Sequence, residues 1–388
     1  MLRIIHVITR LIVGGAQENT LLTCHGLRGR GHRVILITGP SLGPEGSLIP
    51  RFLETGCELV EIPTLVRNPH PLAEWQAHQA LTAHIAAIKP DVVHTHSSKA
   101  GILGRMVAWK KHVSAVVHTI HGLPFHPYQN VAVNQAWIAL EKFAAKRCHA
   151  IVCVAQAMKT QALAAGVGRP EQYSVIHSGM DIQRYMNPAT TGRAVRERLG
   201  IPAEAIVLGT VARLQPLKGH EDLLKITEEL LHRFPRVHFL WVGDGVYKSR
   251  FLQTIEQRGW RQHFTLTGLV KPEEVADLLP AMDILVHPSY REGLPRAVAQ
   301  GMLARLATVV YDCDGAGEIC RTGQTGILVQ PGNTAALLAA LLELADNSAE
   351  RTQYGLRGNK LAMELFDSRK MVDQLENLYG KVREQRDP

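Results

Sequence analysis

A junction near the end of the second half, Tyr290-Arg-Glu-Gly-Leu-Pro-Arg-Ala-Val-Ala-Gln300, carries residues suited to a phosphorylated ligand. The apolar run Ile284–His287 predicts a strand before it, and Pro295 is typical of the first turn of a helix. Free amides and the helix dipole at such a start attract phosphate. Glu292 and Gln300 would lie about 12 Å apart along a helix, similar to the span of a sugar, a diphosphate and a ribose in a row.

The elements that must position this junction alternate between strand and helix along the whole chain. Such alternation predicts parallel sheets covered by helices on both faces. In the first half we predict strands at 4–8, 34–38, 57–62, 92–96, 115–120, 150–154 and 175–177, with helices at 17–28, 71–88 and 132–147. In the second half we predict strands at 206–211, 237–242, 264–267, 284–287 and 308–311, with helices at 219–234, 248–258 and 272–279.

The two alternating series predict an α/β protein of two facing, Rossmann-like, doubly wound domains with a cleft between them. The expected domains are residues 1–183 and 184–370, and a last helix at about 371–385 could pack on either domain. The length of 388 residues also favours two domains.

The composition, with 46% hydrophobic and 20% charged residues, is that of a well-packed globular protein. No apolar run is long enough to cross a bilayer, and the amino terminus lacks the pattern of a secretory leader, so we expect a cytoplasmic location. The six cysteines show no Cys-x-x-Cys spacing, which argues against disulfides and a structural zinc site. Buried free thiols are expected instead.

The formal net charge of +8 lies entirely in the first half of the chain. Residues 1–185 hold 18 Lys+Arg against 10 Asp+Glu, whereas residues 186–388 hold 25 of each. No aromatic-interleaved basic motif accompanies the excess, so nucleic acid is not the expected partner. A phosphate-bearing acceptor, an anionic membrane surface on the inner face of the cell membrane, or a merely soluble basic surface would each explain it.

The glycine pair Gly14-Gly15 follows the first strand but lacks the three-glycine spacing of the dinucleotide fingerprint. A nicotinamide enzyme is therefore disfavoured. Glycine here would let a ligand approach the backbone without a side chain in the way.

Taken together, these motifs resemble the retaining family-4 glycosyltransferases of the GT-B fold over nearly the whole chain. The second half is similar in Arg213, Lys218-Gly219, Gly268-Leu-Val270 and Glu292-Gly-Leu-Pro295. The first half contributes Gly14-Gly-Ala-Gln17, Pro90-Asp-Val-Val-His-Thr-His96, His118-Thr-Ile-His121 and Ser178-Gly-Met-Asp181. The block from His94 to Arg105, with the segment from His121 to His126, looks most like members that build capsules, exopolysaccharides or lipid-linked glycans.

The resemblance implies transfer of a sugar from a nucleotide diphosphate sugar, with a UDP-sugar expected, to a glycan or lipid-linked acceptor. The first domain would then bind the acceptor and the second the donor. Breaking the glycosidic bond adds charge to the leaving diphosphate, and fixed cations must neutralise it. The resemblance assigns this task to Arg213 and Lys218, the sugar hydroxyls to Glu292, and a position facing the sugar to His121. Retention of configuration by front-face attack is implied.

The resemblance also assigns secondary contacts to the donor and the acceptor. Donor contacts fall to Gly14, Gly15, Gly268, Leu269, Val270, Gly293, Leu294 and Gln300, with the base at 268–270 and the ribose at 300. Acceptor contacts fall to Lys99, Arg105 and His126. No cofactor and no metal are expected. His94, His96, His118 and His126 could imitate metal ligands, but the resemblance implies strand packing and acceptor contact for them. Asp312-Cys-Asp314 imitates the metal motif of the GT-A fold, and we interpret it as structural.

The sequence departs from the family pattern in the same region. Gln300 replaces a glutamate that normally accepts from both ribose hydroxyls, which predicts weaker donor binding, and Glu318 could compensate. Arg305 and Ala307 stand where glycine and proline are usual, so the turn between them could differ. A nucleotide-sugar 2-epimerase of the same fold, or a catalytically silent nucleotide-sugar-binding protein, remains an alternative.

Overall fold

A computed structural model describes residues 1–41, 43, 45–68 and 70–385. The chain forms two compact units, Met1–Met180 together with the segment from Asp367 onward, and Asp181–Phe366. The predicted domains, 1–183 and 184–370, end close to these unit boundaries at 180 and 366. Each unit contains one parallel sheet, as the alternating pattern predicted.

Unit 1 is built on seven parallel strands in the order β3-β2-β1-β4-β5-β6-β7. Both faces of this sheet are covered, so its strands read as nearly continuous apolar runs. The strands are β1 Arg3–Arg10, β2 Arg33–Gly39, β3 Glu58–Glu61, β4 Val92–His96, β5 Ala115–Ile120, β6 Ala150–Cys153 and β7 Tyr173–Val175. The helices between them are α1 Gly15–Gly29, α2 Ile49–Glu54, α3 Pro71–Ile88, α4 Ser98–Lys110, α5 Val131–Ala145 and α6 Gln156–Ala164.

Unit 2 repeats the plan with six parallel strands in the order β10-β9-β8-β11-β12-β13. The strands are β8 Ile206–Val211, β9 Val237–Val242, β10 Phe264–Gly268, β11 Ile284–His287, β12 Ala307–Tyr311 and β13 Gly326–Val329. The helices are α7 Ile182–Met186, α8 Gly192–Leu199, α9 His220–Arg233, α10 Lys248–Gln257, α11 Pro272–Leu278, α12 Arg296–Leu303, α13 Ala316–Ile319, α14 Thr334–Asp346 and α15 Ser348–Leu365.

The last helix, α16 (Ser368–Glu384), returns to unit 1 and packs on α1. Its apolar stripe is buried in the unit 1 core, with Met371, Leu375 and Tyr379 each 3% exposed or less. Arg30 at the end of α1 pairs with Glu376 at 2.6 Å. Of the two options left open by the sequence, the helix therefore takes the amino-terminal unit.

Two further expectations can be checked in the described residues. All six cysteines are free thiols, and five of them are buried, as predicted. No helix in the described part of the chain is long and apolar enough to cross a membrane.

Candidate active site

Both sheets reverse their strand order at one point, and several of the predicted site residues lie on the loops beside those two points. In unit 1 the order reverses between β1 and β4, and in unit 2 between β8 and β11. Ligands of open parallel sheets bind at the carboxyl ends of the strands at such a switch point. Gly14 and Gly15 follow β1, Lys218 follows β8, and Glu292 follows β11.

Lys218, Glu292 and His287 form a hydrogen-bonded cluster at the switch point of unit 2. Lys218 Nζ lies 2.5 Å from Glu292 Oε1, and His287 Nε2 lies 3.0 Å from the same oxygen. Lys218 Nζ also reaches Ser289 Oγ at 3.5 Å. The predicted cation and the predicted sugar-binding carboxylate are therefore direct partners in the absence of a ligand.

The electrostatics of this cluster keep Glu292 ionised. Burial by itself would raise the pKa of the carboxyl, but the Lys218 ammonium and the His287 hydrogen bond outweigh it and hold the pKa far below its usual range. The Glu292 side chain is 16% and that of Lys218 17% exposed, so both can still be reached. The site thus presents a carboxylate acceptor next to an ammonium donor.

The two loops that carry Lys218 and Glu292 are tied to each other. Tyr290 N donates to Leu217 O at 2.9 Å, and Ser289 Oγ donates to the same carbonyl at 3.1 Å. Gly219 has φ +74°, and a Cβ there would meet Pro288 O at 1.9 Å. Only glycine permits this approach, so Gly219 fixes how near Lys218 comes to the β11 loop.

Asp222, on the first turn of α9, holds the β11 loop and the end of β12 in place through hydrogen bonds. It accepts from Tyr290 Oη at 2.5 Å and Tyr311 Oη at 3.0 Å, and it pairs with Lys225 at 2.7 Å. The side chain is 3% exposed. A carboxylate held by two tyrosines and a lysine fixes the base of the site without reaching its surface.

The Asp312-Cys313-Asp314 turn supports the backbone of the junction. Asp314 Oδ2 accepts from Glu292 N at 2.8 Å, and Cys313 Sγ contacts Ser289 O at 3.1 Å. These contacts give the turn a structural use, in line with the interpretation drawn from the sequence. The same turn reaches the next loop residue, since Gly315 N donates to Gly293 O at 3.1 Å.

Arg213 and the 268–270 segment lie at the carboxyl edge of the same sheet. Arg213 is exposed, and among the residues described by the structure its guanidinium has no hydrogen-bond or ion-pair partner. Gly268 has φ +72°, and its neighbour Leu269 is 51% exposed beside the partly exposed Val270. An exposed cation and an accessible apolar pair thus lie at this edge.

Gln300 lies on α12, which starts after Pro295, a residue that serves as N-cap rather than as the predicted first-turn residue. The Gln300 amide donates to Tyr185 Oη at 2.8 Å, and the residue is 8% exposed. Leu294, at the start of the helix, is 7% exposed. In this arrangement the side-chain nitrogen of Gln300 donates to Tyr185, which leaves its carbonyl oxygen to accept from a further donor.

The turn that follows α12 carries backbone strain. Arg305 has φ +61°, a left-handed conformation that glycine adopts more easily. Gly355 packs against the Arg305 carbonyl so closely that a Cβ there would meet its oxygen at 2.0 Å. Ala307 begins β12 directly afterwards. A turn is thus present despite the two unusual residues, but Arg305 adopts it with backbone strain that glycine would avoid.

The corresponding edge of unit 1 carries a row of hydrogen-bonded imidazoles. His121 follows β5, and its Nε2 lies 3.0 Å from His96 Nδ1. His96 Nε2 in turn lies 3.0 Å from Nδ1 of His6, in the middle of β1. The row therefore runs from the sheet edge into the core. Burial lowers the pKa of His6 to about 3 and that of His96 well below its usual range, so both rings are neutral at pH 7.

The row fixes the tautomer of His121. His6 Nε2 has no partner among the described residues, and buried N–H groups are rarely left unpaired, so we assign the proton of His6 to Nδ1, which then donates to His96 Nε2. His96 must then hold its proton on Nδ1 and donate to His121 Nε2. His121 consequently accepts through Nε2, and its own proton sits on Nδ1.

Three of these buried rings also approach the spacing of a metal site. Ligand nitrogens of His6, His94 and His96 lie within 4.8 Å of one another. However, His94 Nδ1 bonds Tyr379 Oη at 2.5 Å and His94 Nε2 bonds Thr119 Oγ1 at 2.7 Å. Binding a cation there would break a hydrogen bond of a fully buried ring, so the packing fits imidazoles held by hydroxyl groups better than a metal.

The three predicted acceptor residues have different surroundings in unit 1. Arg105 is completely buried, with Nε donating to Gly101 O at 2.8 Å and Nη2 to Glu141 at 2.7 Å. Its prediction as an acceptor contact is therefore wrong, because the guanidinium joins α4 to α5 inside the unit. Lys99 pairs with Glu74 at 3.1 Å, and the His126 backbone is hydrogen-bonded to Asn134.

Several residues of the site were missed by sequence reasoning. His287, Asp222 and Tyr185 contact predicted residues through side chains that have no strong motif of their own. His287 could have been found, because it ends a predicted strand five residues before Glu292. The others depend on packing between elements far apart in the chain.

Both units match models of known protein families. Residues 13–184 match the model described as Glycosyltransferase Family 4, and residues 193–361 match that of Glycosyl transferases group 1. Together these matches cover most of the chain. It belongs to the family-4 glycosyltransferases. It is accordingly a glycosyltransferase enzyme, as its motifs predicted.

Two curated relatives match this chain over most of its length. The UDP-Gal:alpha-D-GlcNAc-diphosphoundecaprenol alpha-1,3-galactosyltransferase of Escherichia coli is 26% identical over 97% of this chain and 96% of its own. A putative teichuronic acid biosynthesis glycosyltransferase, TuaC of Bacillus subtilis, is 28% identical over 76% and 71%.

Solved structures confirm the fold. Anabaena HepE in complex with UDP-glucose superposes with a TM-score of 0.83 at 20% identity, over 98% of this chain and 100% of that one. A glycosyltransferase from Rickettsia africae gives 0.82 at 19% identity, over 100% and 99%. The predicted GT-B fold, with two Rossmann-like halves, is confirmed.

Proposed function

We propose that this glycosyltransferase moves a sugar from a UDP-sugar to a lipid-linked glycan acceptor, with retention of configuration, in the synthesis of a cell-envelope polysaccharide. The observation that carries the donor half is the Lys218–Glu292 pair, with the unpartnered Arg213 on the same loop as Lys218. A diphosphate is a stronger anion than one carboxylate and can draw the Lys218 ammonium away from it.

The proposed exchange uses both members of the pair. When Lys218 and Arg213 turn to the diphosphate, Glu292 loses a hydrogen-bond donor and becomes free to accept from sugar hydroxyls. The two cations then stabilise the charge that develops as the glycosidic bond breaks. The backbone of Gly293 and Leu294, at the start of α12, supports the same phosphates, while Leu269 and Val270 hold the base and Gln300 the ribose.

For unit 1 we propose that His121 faces the transferred sugar and donates from Nδ1 to one of its oxygens. Gly14 and Gly15 would supply backbone approach at the neighbouring loop. Because the row of imidazoles sets the tautomer of His121, this ring acts as a donor of fixed direction. Transfer by front-face attack of the acceptor needs no enzyme nucleophile and no metal.

The acceptor proposal is supported by the relatives and by charge. The E. coli relative is named for a GlcNAc-diphosphoundecaprenol acceptor. The positive excess of this chain lies in its first 185 residues, as expected if that half meets a diphosphate-bearing lipid. Lys99 and His126 remain acceptor residues in this proposal, whereas Arg105 does not.

The test is a panel of nucleotide sugars screened first by thermal shift, because a true donor stabilises the folded state by mass action. The stabilising sugar is then incubated with a polyprenyl-diphosphate-linked glycan in the presence of EDTA, and the product anomer is assigned by NMR. We expect UDP-sugar stabilisation, transfer without metal, and a retained anomer. Conversion of the nucleotide sugar without transfer would indicate an epimerase, and binding without turnover would indicate a silent protein.

A further inference from the structure

Helix α5 exposes an apolar face that is unusual for a protein surface. Val133, Ala136, Leu140 and Phe143 follow one another at helical spacing, so they form one stripe about 15 Å long. Val133 is 45%, Leu140 44% and Phe143 40% exposed. Soluble monomers rarely expose contiguous apolar patches larger than roughly a few hundred Å², and patches above that size mark interaction sites.

Cations border this stripe on the same helix. Lys142 and Lys146 lie one turn apart on the exposed surface, and Arg147 stacks over Phe143 with its guanidinium carbon 3.7 Å from the ring centroid. Across the part of the chain that the structure describes, no carboxylate pairs with Lys142 or Lys146. The positive charge beside the apolar stripe is therefore not neutralised within the unit.

The lysines also open onto a cleft at the amino-terminal edge of the unit 1 sheet, away from the edge that carries His121. The cleft has a volume of about 600 Å³. Besides Lys142 and Lys146, its lining includes a third cation, Arg169, and two rings, the indole of Trp109 and the imidazole of His149. A pocket of this composition suits the phosphate of an anionic headgroup.

The charge pattern of the surrounding sequence agrees with an anionic partner. Residues 92–170 contain nine Lys+Arg and a single acid, Glu141. That acid is 4% exposed and is paired with the buried Arg105. The surface of α4, α5 and α6 consequently presents cations and apolar groups with no carboxylate among them.

We propose that α5 and the cleft at its carboxyl end dock unit 1 onto an anionic lipid bilayer, with the helix lying in the plane of the interface. Val133, Leu140 and Phe143 enter the headgroup region, and Lys142, Lys146 and Arg169 engage lipid phosphates. The helix is antiparallel to the strands, so its amino end lies at the edge that carries His121. A lipid-linked acceptor in the same bilayer would then reach that edge. The docking itself does not depend on the proposed donor or reaction.

The experiment is sedimentation of the full chain with vesicles of phosphatidylcholine, with and without phosphatidylglycerol, and no nucleotide sugar. Lys142→Glu/Lys146→Glu and Val133→Glu/Leu140→Glu should each weaken partition to phosphatidylglycerol vesicles by about tenfold or more. Two control doubles carry the same charge changes elsewhere on exposed sites, namely Arg236→Glu/Lys360→Glu for the cations and Leu72→Glu/Leu356→Glu for the apolar residues. Both controls should bind as the parent does.

Three results would overturn the proposal. The parent could fail to bind anionic vesicles at low salt, the control doubles could lose binding equally, or Val133→Glu/Leu140→Glu could bind normally, which would mean simple adsorption of a basic protein. A dimer seen by sedimentation equilibrium and dissolved by Val133→Glu/Leu140→Glu would assign the face to a second copy instead. Unchanged circular dichroism and melting temperature confirm that each variant folds. Transfer to a water-soluble acceptor without vesicles should be unaffected, which separates this proposal from the proposed function.

Discussion

The two switch points have the same topology but different electrostatic character. At the reversal in unit 2, a lysine, a carboxylate and an exposed arginine gather, all on loops that follow β8 and β11. At the reversal in unit 1, the loops carry glycines, the Arg10–Glu45 ion pair and the end of a row of imidazoles whose buried members are neutral. The unit 2 edge thus holds a cation and a carboxylate in direct contact, whereas the unit 1 edge is distinguished by hydrogen bonds between imidazoles.

This contrast matches the unequal chemistry of glycosyl transfer. The leaving diphosphate gains charge as the bond breaks, and it needs mobile ion pairs that can exchange partners. The transferred sugar is polar and uncharged, and it needs donors of fixed direction. A charged histidine near the developing oxocarbenium would repel it, so burial of the imidazole row has a chemical use as well as a structural one.

The largest expected effect comes from breaking the charged side of the comparison. Lys218→Ala should lower kcat by roughly 10²–10³-fold, as for other groups that stabilise transition-state charge. Initial rates with a saturating donor measure this, and Lys360→Ala, which removes an exposed lysine from α15, is the matched control. Near-normal transfer by Lys218→Ala would remove it from the diphosphate site.

The neutral side predicts a pH dependence of stability. His6, with its pKa lowered to about 3, and His94, His96 and His118, lowered well below the usual value, stay unprotonated when folded. The unfolded chain protonates these rings below about pH 6.5 and the folded one does not, so stability falls as pH falls from 7.5 to 5. Each ring costs about 1.4 kcal/mol per pH unit below that value.

Unit 2 should respond less over the same range. It buries two comparable rings, His220 and His238, with pKa values lowered to about 3 and about 4, and the Glu292 carboxylate stays ionised until much lower pH. Hydrogen exchange, corrected for the intrinsic rate at each pH, should show that peptides of unit 1 lose protection at a higher pH than peptides of unit 2 as the pH is lowered. Equal loss in both units would contradict the assignment of neutral imidazoles.

The tautomer of His121 gives a smaller and more specific effect. His96→Asn can keep a donor at the Nδ1 position, whereas His96→Leu removes it, so transfer should fall by up to about tenfold in the leucine variant and less in the asparagine variant. Nitrogen-15 chemical shifts should show the His121 proton on Nδ1 in the parent. A proton on Nε2 would overturn the role of the row.

Gln300→Glu should tighten donor binding by up to about tenfold, because a charge-assisted bond to ribose replaces a neutral one. Isothermal titration with the UDP-sugar measures the change, with Gln330→Glu as a control on an exposed loop. An unchanged Kd would show that position 300 does not reach the ribose and that its bond to Tyr185 is structural.

The fold was largely predictable from the sequence because parallel strands buried on both faces have a continuous apolar pattern that breaks at their ends. The positions of Glu292, Lys218 and Gly219 could also be predicted from the sequence, since each residue stands at a strand end or a helix start. What the sequence could not show is how side chains from separate loops combine. The Lys218–Glu292 contact and the His121–His96–His6 row join residues that are between 25 and 90 positions apart.

Arg105 shows the limit most clearly. A basic residue in a segment like those that meet acceptors predicts contact, but its partner is Glu141, 36 positions later on another helix. Since nothing local in the sequence announces that pair, the burial of Arg105 could not be foreseen. The exposure of the α5 stripe could not be predicted for a similar reason, because an apolar helical face has the same sequence pattern whether it packs on a sheet or faces solvent.

The exchange of Lys218 from Glu292 to a diphosphate is tested most directly by the affinity of UDP for three proteins, the parent, Lys218→Ala and Glu292→Gln, measured by isothermal titration. UDP carries the diphosphate without the transferred sugar, so its affinity reports on Lys218 and Arg213 without any contact between Glu292 and sugar hydroxyls. The exchange predicts weaker binding by Lys218→Ala and equal or tighter binding by Glu292→Gln, since the latter frees the ammonium while abolishing most turnover. If Glu292→Gln lost UDP affinity as severely as Lys218→Ala, the carboxylate would be holding the lysine in place for the diphosphate rather than competing with it, and the exchange would be wrong.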